Sequence, residues 1–102
     1  MKIYTVKGMH RIDYDFTIAF FKLGCFTNKD NALQRAKEAF EKAKAEDYAE
    51  DIARYSNEEE CNEDELVKFY EDEEKGYYRL SFGVEEDYEA YRISVDEWTV
   101  ED

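Results

Sequence analysis

Twenty-seven carboxylates and a single histidine set the chemistry open to this chain. His10 sits in Gly8-Met9-His10-Arg11, and the serines (Ser56, Ser81 and Ser94) stand in none of the Gly-x-Ser-x-Gly settings that expose a nucleophile on a strained turn. A Cys25–His10 dyad is the one nucleophile–base pairing to weigh. Cys25 closes an apolar run ahead of a helix, which reads as a buried, inert thiol. One histidine and two distant cysteines do not close a zinc site. Glu58–Glu65 lacks the alternating spacing and the glycine turn of a calcium loop. Gly8, Gly24, Gly76 and Gly83 are isolated, so no glycine-rich loop cradles a phosphate. Among so many acids, a pair at glycosidase separation arises by chance and carries no weight. No catalytic residue, metal or cofactor is assigned, and the chain is read as non-enzymatic.

The carboxylates are not evenly spread. Residues 1–45 hold nine Lys/Arg and five Asp/Glu, a net of +4, while residues 46–102 hold five and twenty-two, a net of −17. Glu58, Glu59, Glu60, Glu63, Asp64 and Glu65 form one block, and Glu71, Asp72, Glu73 and Glu74 a second. Glu85, Glu86 and Asp87 form a third, beside Tyr88, and Asp96, Glu97, Glu101 and Asp102 close the chain. Such a density invites a cationic partner.

The elements that must position these blocks follow from hydrophobic spacing. Ile3–Lys7 reads as a strand and residues 8–13 as a connector. Tyr14–Phe26 is apolar on both faces, which predicts a central strand. Thr27-Asn28-Lys29-Asp30 resembles a capping box with Thr27 as the cap. Leu33, Ala36, Phe40 and Ala43 make a helical stripe that Tyr48, Ile52 and Tyr55 continue out of phase. Unbroken, that helix would be about 40 Å long, against a radius of gyration of about 13 Å for a domain of this size, so a break near Glu46-Asp47 or an overhanging end is expected. Lys29, Arg35, Lys37, Lys42 and Lys44 form its basic face, either solvated or paired with the acidic half of this or a second molecule. Residues 56–65 read as a charged loop. Leu66–Tyr70, Tyr77–Val84 and Tyr88–Val100 read as strands joined by turns at Lys75-Gly76 and Glu85-Glu86-Asp87. Tyr78, Leu80, Phe82 and Val84 share one face; Tyr91, Ile93 and Val95 share another, and a parity switch at Trp98 predicts a bulge at Asp96-Glu97. The fold class is α+β, one antiparallel sheet in the order β-β-α-β-β-β packed on one long helix, with residues 1–102 a single domain.

Composition narrows the setting. Aromatic residues make up 17% of the chain and hydrophobic ones 43%. Disordered acidic chains lack such residues, so a folded domain with an aromatic core is expected, stabilised by added salt. No apolar run reaches transmembrane length. Met1-Lys2-Ile3-Tyr4 enters a strand-like pattern without a signal peptide, and two lone cysteines read as reduced thiols; a cytoplasmic setting fits both. Net negative charge repels nucleic acid and anionic membranes, so neither is expected as a direct ligand.

Alternate residues on a strand lie about 6.6 Å apart, and each strand of duplex DNA carries a charge every 3.4 Å or so. A rigid sheet edged with carboxylates can thus approximate a row of phosphates. Tyr70, Tyr77, Tyr78, Tyr88 and Tyr91 would add anchoring contacts. Leu66–Glu74 and Phe82–Tyr88, on a short single-domain chain, resemble in style the small acidic anti-CRISPR and antirestriction proteins of phages and mobile elements. The resemblance covers the C-terminal half and brings no shared motif. It implies a basic protein partner in a bacterial host cell: a nuclease whose DNA- or PAM-binding groove is occluded, as Cas9-type enzymes hold nucleic acid in positive channels. The basic N-terminal half departs from a uniformly acidic mimic. The competing expectation is a structural or regulatory interaction module of a phage or mobile element, self-associating as a homodimer or joining a complex through its sheet edge or aromatic face.

Overall fold

The computed structural model describes residues 1–11, 18–56, 67–82 and 88–101. Strands β1 (Lys2–Arg11) and β2 (Ile18–Phe26) precede helix α1 (Lys29–Lys42), a π-helical turn (Ala43–Asp47) and helix α2 (Ala49–Ser56). Strands β3 (Val67–Asp72), β4 (Tyr77–Phe82) and β5 (Tyr88–Thr99) follow. All pairings are antiparallel, in the order β2-β1-β5-β4-β3, and the helix packs on one face, so the expected α+β fold forms.

Alternation decides which residues meet the helix. Tyr78, Leu80 and Phe82 of β4 and Tyr91 and Ile93 of β5 are buried, as their spacing requires, with Val6 of β1 beside them. From the helix come Ala32, Ala36, Ala39, Phe40 and Ala43. Four alanines let the helix backbone approach the sheet closely, and Phe40 fills the space between. Its ring stacks on Tyr78 at 5.1 Å and meets Phe69 edge-on at 6.4 Å. The expected interruption of the helix is a π-bulge: the Tyr48 amide donates to the Ala43 carbonyl, five residues back, at 2.8 Å. The extra residue rotates the following turn, so that Tyr48 and Ile52 again face the core.

Several local expectations are corrected. The central strand is β5, not the second; β2 lies at the edge, with Phe20 75% exposed. Its two apolar faces reflect one face on the helix and one left open. Cys25 is exposed, because it lies opposite Thr5 on the face of the sheet turned away from the helix. The helix cap is Asn28, one residue beyond Thr27; its side chain accepts from the Asn31 amide at 3.1 Å. Strand β1 runs to Arg11, through most of the presumed connector, because residues 7–10 pair with β5. No bulge occurs at Asp96-Glu97, where the β1–β5 register is continuous from Lys2–Thr99 to His10–Tyr91. The irregularities lie elsewhere. Leu80 pairs with Tyr91 but Ser81 with Glu89, leaving Ala90 as an extra residue; Val6 pairs with Gly24 but Lys7 with Lys22, leaving Leu23. Gly24 accommodates the second bulge with φ of +149°, a conformation side chains rarely adopt. Strands β3 and β4 join through the expected turn, where Gly76 has φ of +66°. The apolar residues Tyr14, Phe16 and Val84 and the turn at 85–87 lie outside the described residues.

Candidate functional site

The described part of the acidic surface lies on the β3–β4 hairpin and on β5, where Asp96 meets Lys7 at 2.6 Å and Glu97 meets Lys2 at 3.7 Å. Pleating divides the hairpin's four acids. Glu71 pairs with the core residue Tyr78 and so stands on the helix side, whereas Asp72 pairs with Tyr77 on the opposite side. Glu71 accepts from Lys44 at 2.8 Å, and Glu73 from Lys37 at 3.0 Å. Lys44 also meets Glu41 at 3.2 Å and lies 5.1 Å from the Phe40 ring centroid and 5.4 Å from that of Phe69. Burial pulls the Lys44 ammonium down, but hydrogen bonds to Glu71 and Glu41 outweigh it and leave its pKa raised. The Lys37 pKa is raised by its hydrogen bond to Glu73 and by that carboxylate's charge. Two lysines of the basic helix face thus pair with the acidic half of the same molecule. Asp72 closes the turn instead, accepting from the Lys75 amide at 3.1 Å. Glu74 is exposed.

Of the remaining acidic residues, Asp96 lines a cleft together with Asp72 of this hairpin. Glu58, Glu59, Glu60, Glu63, Asp64 and Glu65, and Glu85, Glu86 and Asp87, lie outside the described residues. Their anchors are described. Val67 pairs with Phe82 and Phe82 with Tyr88, so the strand ends that flank these segments lie together at one end of the sheet. The Glu71–Glu74 hairpin is at the other end, about 17 Å away along the six-residue strand β4. The tyrosines separate too: Tyr78 and Tyr91 are buried under the helix and offer no anchor to a partner, while Tyr70 and Tyr77 pair edge-to-face at 5.6 Å on the open side.

The nucleophile–base pairing is excluded by register. Cys25 lies opposite Thr5, five residues from His10 along β1, a separation of about 17 Å. His10 lies 5.6 Å from Phe21, ring to ring, and shares a depression of about 260 Å³ with Tyr91, Asp47 and Arg35 at the helix–sheet junction. Burial pushes the Tyr91 hydroxyl up to about 12. Among the described residues no group of three or more His, Cys, Asp or Glu is placed to hold a metal ion, and no helix is long and apolar enough to cross a membrane.

A cleft on the open face was not anticipated. This open groove of about 670 Å³ is lined by Lys7, Lys75, Arg79 and Arg92 and equally by Tyr70, Tyr77, Asp72 and Asp96. Arg79 and Arg92 are register partners and share Glu89, at 3.2 Å from Arg79 Nε and 3.1 Å from Arg92 Nη1. The bulge at Ala90 makes this possible. In an uninterrupted strand Glu89 would share a face with Tyr91; the extra residue turns it away from the core. Tyr48 fixes the bulge from the helix side, its hydroxyl donating to the Ala90 carbonyl at 3.0 Å. The signal in the sequence was the alternation Tyr78-Arg79-Leu80-Ser81-Phe82, which places Arg79 off the apolar face.

No family model matches the chain, and neither a curated protein nor a solved structure does.

Proposed function

We propose that this protein is a non-enzymatic acidic inhibitor that binds the basic nucleic-acid groove of a bacterial defence nuclease of the Cas9 type and blocks DNA or PAM binding. The observation that carries the reading is the net −17 of residues 46–102 on a folded, aromatic-cored domain. Glu71 and Glu73 are already met by Lys44 and Lys37, so the nine acids of segments 57–66 and 83–87 are read as the principal contact. Charge of this kind speeds encounter more than it deepens affinity. The test is DNA binding and cleavage by purified Cas9-type effectors and restriction enzymes with the protein added at rising salt. Inhibition by competition with DNA, weakening as salt rises, supports the proposal; absence of nuclease binding, or salt-independent binding, removes it. Charge reversal across Glu58, Glu59 and Glu60 should slow association first.

A second reading, a structural or regulatory interaction module, draws on strand β2. This nine-residue strand is a sheet edge with Lys22 as its sole charge, and Phe20 and Ile18 are exposed. Edges of that kind pair with further strands unless blunted. It lies in the +4 half, where two copies repel least. A stable dimer by sedimentation, abolished by Phe20→Lys while nuclease inhibition is absent, would favour it.

A further inference from the structure

The two edges of the sheet are guarded unequally. Strand β3 is short and carries Lys68, Glu71 and Asp72, and Lys44 of the helix reaches across to Glu71. Charges of that kind discourage a further strand. Strand β2 is longer and carries Lys22 alone, and among the described residues no strand lies on its outer side. Its outward amides and carbonyls are therefore open to another strand. Alternation sorts its side chains. Phe20 and Lys22 stand on the face turned from the helix, opposite Met9 and Lys7, and Phe20 is 75% exposed. Ala19, Phe21 and Leu23 stand on the helix side. The Phe21 ring lies over Gly8 and 5.8 Å from Tyr91, so it leans inward and leaves the edge clear.

We propose that this edge binds a second copy of the same chain, β2 against β2 and antiparallel, with Phe21 on the two-fold axis and residues 19–23 paired. The proposal rests on the interaction-module reading and gives that module its partner and register. In an antiparallel pair the side chains directly opposite share a face, so a two-fold axis normal to the sheet passes through a single residue. With the axis at Lys22, ammonium would face ammonium, which destabilises a sheet. With the axis at Phe20, each Lys22 would face Ile18 of the other copy, beside Arg11 on the next strand. With the axis at Phe21, each Lys22 faces Phe20 of the other copy, and each Ala19 faces Leu23. A lysine over an exposed aromatic ring is favourable, and the arrangement provides two. Only apolar pairs fall on the helix side. The strand is thus complementary to itself in one register. It also lies in the half of the chain at +4, where two molecules of net −13 repel least. The product is one sheet of ten strands, with the acidic β3–β4 hairpins at its two outer edges. Beyond Leu23 the bulge bends the strand away, so the ladder is short and the dimer weak and reversible.

The test places Phe20→Cys or Lys22→Cys, both at exposed positions, in the full chain with Cys25→Ser and Cys61→Ser. Residues directly opposite in an antiparallel pair lie about 4.5–5.5 Å apart at Cα, within disulfide reach; diagonal ones, at about 7–8 Å, are not. In a glutathione redox buffer an equal mixture of the two variants is expected to crosslink one to the other, and either variant alone to crosslink little. The unmodified chain, sedimented from about 1 µM to 1 mM, should dimerise reversibly. That dimer should tighten as salt rises, because screening relieves the repulsion between two acidic molecules. Lys22→Gln should weaken it about tenfold. A monomer throughout that range would overturn both the proposal and self-association as the module's mode of action. A dimer in which Phe20→Cys crosslinks to itself and the mixture does not would overturn the register and leave the module reading standing. A dimer that neither crosslinks in the mixture nor responds to Lys22→Gln would place the contact elsewhere and overturn the proposal. Inhibition of a nuclease is expected to weaken with salt, the opposite trend, so the two readings are told apart in one titration.

Discussion

On the helix side of the sheet, Tyr78, Leu80, Tyr91 and Ile93 are sealed beneath Phe40 and a row of alanines. One residue along the same strands, on the open side, Arg79 and Arg92 are joined through Glu89. The first face is held by burial of apolar and aromatic area, which depends little on salt or partner. The second is held by ion pairs between half-exposed groups, which are weak and depend on both. The two faces thus differ in what holds them: the covered one by burial, the open one by charge.

The largest effect expected from breaking this contrast is at Phe40. Phe40→Ala should cost about 3–5 kcal/mol in urea denaturation, with nearly the same loss at low and high salt. Alkaline pH should act next, mainly through the covered face. An unfolded tyrosine ionises near pH 10, but burial holds Tyr91 up to about 12, so the unfolded chain releases its proton first. Stability present below pH 10 should fall as pH rises through 10 to 12. Lys37 and Lys44, both raised above 10.5, act in the same direction, their contribution being lost above that value. Melting temperature against pH, read beside tyrosinate absorbance, checks this. Glu89→Gln on the open face should cost about 1–3 kcal/mol, and here added phosphate or salt should recover part of the loss. Recovery of the same size for Phe40→Ala would erase the distinction between the faces. Asn28→Ala, which removes the helix cap without touching either face, should cost about 1 kcal/mol. The double variant Lys37→Gln, Lys44→Gln should change stability least, by about 1 kcal/mol or less, since the Lys37–Glu73 pair is half-exposed and the Lys44–Glu71 pair still reaches solvent. Under the inhibitor reading it should speed association with a basic partner, because Glu71 and Glu73 would then be uncompensated.

Much of the fold was legible because alternation is a local property. The inward faces of β4 and β5 and the helical stripe from Ala36 to Ala43 follow from spacing alone. The interruption of the helix was visible as a shift of phase. Strand order was not, because an apolar run such as Ile18–Phe26 looks the same at a sheet centre and at an edge with one face open. Thr27 and Asn28 are both good caps, and only the entry angle of the chain decides between them. The bulges at Ala90 and Leu23 carry no mark in the sequence, yet they determine which way Glu89 points. Of the acidic site, the hairpin position was readable; its compensation by Lys37 and Lys44 was an open alternative, since it depends on which face of the helix meets which strand. The arginine pair on the open face was hidden by strand order, since Arg79 and Arg92 stand side by side only once β4 is set against β5.

Strand β5 is the last element in the chain and the middle one in the sheet, with Lys2 lying opposite Thr99. Before residues 88–99 leave the ribosome there are only two separate hairpins, β1–β2 and β3–β4, with no strand to join them. Isolated hairpins of that kind are marginal in water. Assembly of the whole sheet therefore waits for β5, and removal of residues 88–99 would leave the two hairpins with no strand between them.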